Sequence, residues 1–192
     1  AALWNEGPLL VLAGPGSGKT KTLTARVARL IGESSGESFR ILCLTFTKKA
    51  ATEMRERLFK IVPDARDRAL LSTFHSFATD ILRQHGSHFG LTPEFEILER
   101  SEQVSIVKRI LSSNPDGFSR IVSAEKALDS LEFLFRGLVP DEKVASLLKD
   151  GEVGKQLATL FAAYKQTLRG QNALDYGAIL YFCEELLVAR PR

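Results

Sequence analysis

A chain of 192 residues with 26 Lys+Arg against 23 Asp+Glu carries a net charge of only +3, so bulk charge does not by itself argue for a polyanionic partner. That length holds one sizeable core, or one core with a smaller satellite domain. Cys43 and Cys183 stand in apolar stretches without neighbouring metal ligands, which excludes a disulfide scaffold and suits free thiols in a reducing compartment; with nothing resembling a signal peptide or a membrane-spanning run, a cytoplasmic setting is expected.

The first apolar run, Pro8-Leu9-Leu10-Val11-Leu12, is short and uninterrupted, as in a strand buried on both faces. It leads into Ala13, Gly14, Pro15, Gly16, Ser17, Gly18, Lys19 and Thr20, and a helical pattern follows. This spacing matches the phosphate-loop motif, with Ala13 in place of the first glycine. Glycines there allow a tight turn that aims backbone N–H groups at phosphate oxygens, at the positive end of the helix. Lys19 is expected to reach the β and γ phosphates as the catalytic cation, and the Thr20 hydroxyl to be a Mg²⁺ ligand.

Arg40 to Thr45 reads as a second strand and Ala69 to Thr73 as a third, each followed by a helix, from about Lys48 to Lys60 and from about Phe74 to Gln84. Alternating strands and helices predict an α/β fold with a parallel sheet and a phosphate site at the strand C-terminal ends. Both later strands end in hydroxyl-aromatic segments: Thr45, Phe46, Thr47, Lys48 and Thr73, Phe74, His75, Ser76. Exposed rings would offer stacking surfaces to bases, and hydroxyls and lysine would meet phosphates. Phe is more often a core residue, so burial of Phe46 and Phe74 is the competing reading.

After His85-Gly86 the strand signals stop and helical spacing takes over: Val104, Val107, Leu111; Leu128, Leu131, Phe135, Leu138; Val153, Leu157, Leu160, Phe161, Tyr164, Leu168. Turn clusters at residues 112–117, 137–141 and 151–154 separate these helices. A last helix, capped by Asp175, carries Ile179, Phe182, Cys183 and Leu186 on one face, with Glu184 and Glu185 solvated.

The segments Ala13 to Thr20, Leu44 to Leu58 and Ser72 to Ala78 resemble, in order and spacing, the first three motifs of UvrD/Rep-type superfamily 1 DNA helicases. Lys48 and Ser72 depart from the Asn and Gly usual in that family. The stretch from His85 to Leu98 is similar to the start of the family's helical insertion, and Leu174-Asp175-Tyr176 to its end. The resemblance implies a partial RecA-like domain from residues 1–85 and 171–192, with residues 86–170 as the insertion. It implies ATP and Mg²⁺ as cofactors, single-stranded DNA and duplex junctions as partners, and 3′-to-5′ translocation by the parent. On this resemblance Thr45, Phe46, Thr47, Lys48, Thr73, Phe74, His75 and Ser76 are DNA contacts. The Walker B acidic residues and the second RecA-like domain are expected outside the chain, so the piece alone is expected to lack turnover. From the residues alone, another P-loop NTPase with 86–170 as a lid, or a non-catalytic nucleotide- or DNA-binding module, stays open.

Overall fold

The computed structural model describes residues 1–4, 6–34, 40–113, 122–149 and 151–189. Helices form where apolar periodicity and caps coincide. Helix α1 (Lys19–Glu33) buries Thr24, Val27 and Ile31 on one face. Strand β1 (Ile41–Thr45) leads into α2 (Lys48–Ile61), which turns Ala51, Met54 and Leu58 inward. Thr47 caps α2 by accepting the Ala50 N–H, an interaction that contributes about 1 kcal/mol. A 3-10 turn at Pro63–Asp67 precedes β2 (Ala69–Thr73), and α3 (Phe74–His85) follows directly.

The remaining chain contains β3 (Glu96–Ile97), α4 (Arg100–Ser112), α5 (Ala124–Arg136), the single turn α6 (Asp141–Val144), α7 (Gly151–Gly170), β4 (Ala173–Leu174) and α8 (Tyr176–Ala189). The result is a helix-rich α/β chain with, among the described residues, two small parallel sheets. In one, β1 pairs with β2 from Ile41↔Ala69 to Thr45↔Thr73; in the other, β3 pairs with β4 at Glu96↔Ala173 and Ile97↔Leu174. Contacts divide the chain into two compact units, Ala1–Phe77 and Ala78–Arg192. No helix among the described residues is long and apolar enough to cross a membrane.

In the first unit, α1 and α2 cover one face of the β1–β2 sheet, burying Cys43, Ala69 and Leu71 against Val27, Ile31, Met54 and Leu58. Burial pushes the Cys43 thiol up from its ordinary value, in keeping with an unreactive core group. The run 8–12 differs from expectation. It forms no strand, and Leu10 and Leu12 are 82 % and 86 % exposed. A strand of this kind makes no hydrogen bonds within itself and needs flanking strands to order it; among the described residues the sheet consists of β1 and β2 alone.

The second unit is organised around α5, α7 and α8. The Phe135 ring meets those of Phe161 and Tyr181 at 4.9 and 5.5 Å between centroids. Leu128, Leu131, Leu157, Leu160, Leu168, Ile179 and Phe182 complete the core. Residues 171–189, grouped at the sequence level with 1–85, lie in this unit, because the apolar face of α8 is buried against α5. Three local differences have physical causes. Leu138 leaves the α5 stripe because the chain turns there with φ 47. Residues 151–154, expected in a turn, form the first turn of α7, and Gly154 is required by packing: a methyl group there would stand 2.1 Å from the Ala145 carbonyl oxygen. The two-residue strands β3 and β4 are too short for a periodic signal; Asn172, at φ 50, fixes them by bonding to Thr92 through both ends of its amide. Residues 114–117 of the turn expected at 112–117 lie outside the described residues.

Lys165 and Asp175, a lysine and an aspartate, are buried with partners. The Lys165 ammonium pairs with Asp141 and lies 4.6 and 4.8 Å from the Phe161 and Tyr181 ring centroids, tying α6 to α7 and α8. Asp175 caps α8 by accepting the Ala178 N–H at 2.8 Å, and it accepts the Tyr164 hydroxyl at 2.8 Å. Burial raises the Asp175 carboxyl above the ordinary aspartate value despite these two donors. An acid raised on folding contributes stability that is full below its unfolded value of about 3.9 and is lost as pH rises through the folded one. Urea unfolding at stepped pH should show that decline in the native chain, and Asp175→Asn should flatten it. Parallel pH profiles of the two proteins would disprove this assignment.

Candidate nucleotide and nucleic-acid site

The phosphate loop lies in the first unit, and residues 13–20 are exposed throughout. Gly16 and Gly18 take φ 74 and 84, left-handed values that suit glycine, and nothing lies within 4 Å of where a Cβ would stand on either. Gly18 is the residue from which α1 begins. Ser17 braces the turn by donating its hydroxyl to the Gly14 carbonyl at 2.6 Å. The Lys19 ammonium lies over the loop, donating to the carbonyls of Ala13 at 2.7 Å and Gly14 at 2.6 Å. No acidic side chain stands in the first turn of α1. An exposed helix N-terminus with a lysine in its first turn is electrostatically matched to an anion. The residues present therefore fit a nucleotide phosphate. Among the described residues no group of three or more His, Cys, Asp or Glu side chains gathers as a metal site, and Thr20 is exposed.

The two hydroxyl-aromatic segments are brought together by the sheet. Thr45 and Thr73 are register partners at the C-terminal ends of β1 and β2. Phe46 follows the first and Phe74 the second, with their ring centroids 5.5 Å apart and planes inclined at 44°. Phe46 is 92 % exposed and Phe74 41 %, so neither is a core residue. Burial of so large an apolar ring is the ordinary outcome, and a nearly bare one suits a binding surface. Lys48 and Lys49 open α2 beside Phe46 and are exposed.

The hydroxyls have local work. Thr45 donates to the Thr47 carbonyl at 3.0 Å, and Thr47 caps α2. Thr73 is buried and begins α3, accepting the Ser76 N–H at 3.1 Å while its hydroxyl donates to Ser76 Oγ at 2.9 Å. His75 is half-buried. Thr73 therefore shapes the turn that presents Phe74, whereas Phe46, Phe74 and Lys48 form the accessible surface.

Arginines add positioning that motif spacing does not reveal. Arg55 of α2 donates to the Leu71 carbonyl at 2.8 Å, fixing α2 against β2 below the ring pair. Arg26 donates to the carbonyls of Ala1 and Trp4, and Arg29 to that of Ala2, so residues 1–4 are tied along α1. The only signal in the sequence is the spacing of three between Arg26 and Arg29 on one helix face.

Comparison with known proteins identifies the family. Residues 1–192 match the family described as the UvrD/REP helicase N-terminal domain. The chain is similar to the ATP-dependent DNA helicase PcrA of Staphylococcus aureus, at 33 % identity over 186 residues covering 91 % of this chain and 24 % of that protein. It is similar to PcrA of Leuconostoc citreum at 33 % identity, covering 97 % of this chain and 25 % of that protein. It is also similar to DNA helicase II of Rickettsia typhi at 34 % identity, covering 100 % of this chain and 29 % of that protein. The chain thus spans about a quarter of the length of these relatives. With a family match along its whole length, the chain belongs to the UvrD/REP helicase N-terminal domain family.

Proposed function

We propose that this chain is the ATP- and single-strand-binding front portion of an ATP-dependent DNA helicase that moves 3′ to 5′. The observation that carries the reading is the exposed Phe46–Phe74 ring pair at the ends of parallel strands, in the same unit as an open phosphate loop. Open α/β sheets take their ligands at strand C-terminal ends. In this reading residues 1–85 with 171–192 belong to the RecA-like domain of the parent and residues 86–170 to its helical insertion. Helix α8 then serves both: its inner face is buried in the helical unit, while Tyr176, Leu187 and Val188 remain exposed on its outside.

Lys19 would hold the β and γ phosphates in place of its two loop carbonyls, and the Thr20 hydroxyl would be a ligand of Mg²⁺. Bound Mg-ATP supplies the phosphoryl bond whose cleavage drives the motor. Phe46 and Phe74 stack on bases of a single strand, and Lys48 with the N-terminal amides of α2 meets its phosphates. Stacking gives grip without sequence preference, as movement along any sequence requires.

Binding of single-stranded oligonucleotides by the parent tests this reading. Phe46→Ala is expected to weaken binding by about 1–3 kcal/mol, some 5- to 150-fold, with an unchanged salt slope. Lys48→Ala should weaken binding and also reduce the log–log salt slope by about 0.7, the value for one phosphate contact on a single strand. Unchanged affinity in a folded Phe46→Ala variant would remove the ring pair from the site. Absence of DNA-stimulated ATP hydrolysis by the parent would favour a non-catalytic binding module.

A further inference from the structure

Residues 141–149, between α5 and α7, bury little of themselves: Val144 is buried and Ala145 half-buried, while the rest of the segment is exposed. Their charged anchor is asymmetric. The Lys165 side chain on α7 is 7 % exposed, whereas that of Asp141, its partner on the segment, is 59 % exposed. Tyr181 of α8 completes the contact, its hydroxyl accepting from the Lys165 ammonium at 3.4 Å and donating to Asp141 at 3.2 Å. A lysine ordinarily keeps its ammonium in water, and a buried charge persists only with partners. The one anion paired with this buried cation therefore comes from a weakly buried piece of the unit.

The helices on either side are held together without that segment. Phe135 of α5 packs its ring on Phe161 of α7 and Tyr181 of α8, and Arg100 of α4 bridges to Asp129 and Glu132 of α5. Segments with little buried apolar surface are the ones that open locally while the rest of a domain stays folded. We propose that residues 141–149 form a strap that opens and closes on the helical unit without unfolding it, with the Lys165–Asp141 pair as its latch, so that opening brings a hidden cation to solvent. The Phe161 and Tyr181 ring faces attract the ammonium but do not neutralise it, so loss of Asp141 leaves a buried charge without its counter-ion. This device lies within the helical unit and is independent of the nucleotide and DNA reading.

Hydrogen exchange in the full-length parent, without nucleotide or DNA, tests the strap. The amides of Ser146 and Leu147, bonded to the Lys143 and Val144 carbonyls, should exchange about 10²-fold more slowly than in an unstructured chain. They should still exchange at least about 10²-fold faster than those of Leu131 and Leu160 within α5 and α7, and respond little to dilute urea, because local opening exposes little surface. Asp141→Ala should speed the strap amides by about 10- to 100-fold, the worth of one charge-assisted hydrogen bond, and leave those of α5 and α7 within about threefold. Lys165→Met, which keeps an unbranched stem for the ring pocket and removes the charge, should also speed the strap alone. Reductive methylation reads the lysine itself: Lys165 should react more slowly than the exposed Lys155 of the same helix, and faster by the same factor in Asp141→Ala. Strap amides that exchange together with α5 and α7, strap amides unprotected in the native parent, strap exchange unmoved by both substitutions, or Lys165 reacting as fast as Lys155 would overturn the proposal.

Discussion

Lys19→Ala in the full-length parent is expected to lower kcat for ATP hydrolysis by at least about 10²–10³-fold, the scale of removing one preorganised charge-stabilising donor. The Lys19 ammonium already lies over the loop, held by the Ala13 and Gly14 carbonyls. It needs only to trade two neutral acceptors for charged oxygens, which are the stronger partners. Phosphoryl transfer depends on positioning and charge neutralisation rather than covalent help from the protein, so kcat should fall more than nucleotide affinity. Stability should change little, because the side chain is exposed. Steady-state hydrolysis with separate nucleotide titrations would show the split. Hydrolysis within about threefold of the native parent, a loss too small for a transition-state contact, would remove Lys19 from the reaction.

Phe135→Ala should be the most damaging single truncation in the helical unit, costing about 3–5 kcal/mol. Its ring is 1 % exposed and touches the rings of Phe161, Tyr164 and Tyr181. Helix α8 sits so close that a methyl group on Gly177 would stand 2.9 Å from the Phe135 Cβ, leaving little freedom for collapse into the cavity. The chain provides separate reporters: its one tryptophan is Trp4 in the first unit, and its three tyrosines, Tyr164, Tyr176 and Tyr181, are in the second. In urea the tyrosine near-ultraviolet signal of Phe135→Ala should be lost at lower denaturant than in the native chain. Equal midpoints for the two proteins would show that the α5–α7–α8 contact is not the core of that unit.

The helices were legible because each combines a local pattern with a local stop. Ile179, Phe182, Cys183 and Leu186 line the inner face of α8, where the sequence places them. The cap Asp175 acts within a few residues of itself, so no distant partner was needed to anticipate it. The strand Ala69–Thr73 was legible from its bounded apolar run. The turn at 13–20 is likewise local: Lys19 reaches the Ala13 and Gly14 carbonyls six and five positions back.

What the sequence determined by itself is therefore what depends on neighbours along the chain: helix faces, caps, the loop that suits a phosphate, and the order of motifs that marks the family. Tertiary structure decided what depends on partners far along the chain. The run 8–12 has the composition of a buried strand, yet without flanking strands it stays exposed, since strand hydrogen bonds are made only between segments. Phe46 has the composition of a core residue, and the β1–β2 register instead leaves it bare beside Phe74. Lys165 stands on a helix where a lysine is ordinarily solvated, yet it is buried and pairs with the exposed Asp141, 24 positions away. Periodicity records which side of an element is apolar, but a charge or ring goes where non-local packing supplies its partner.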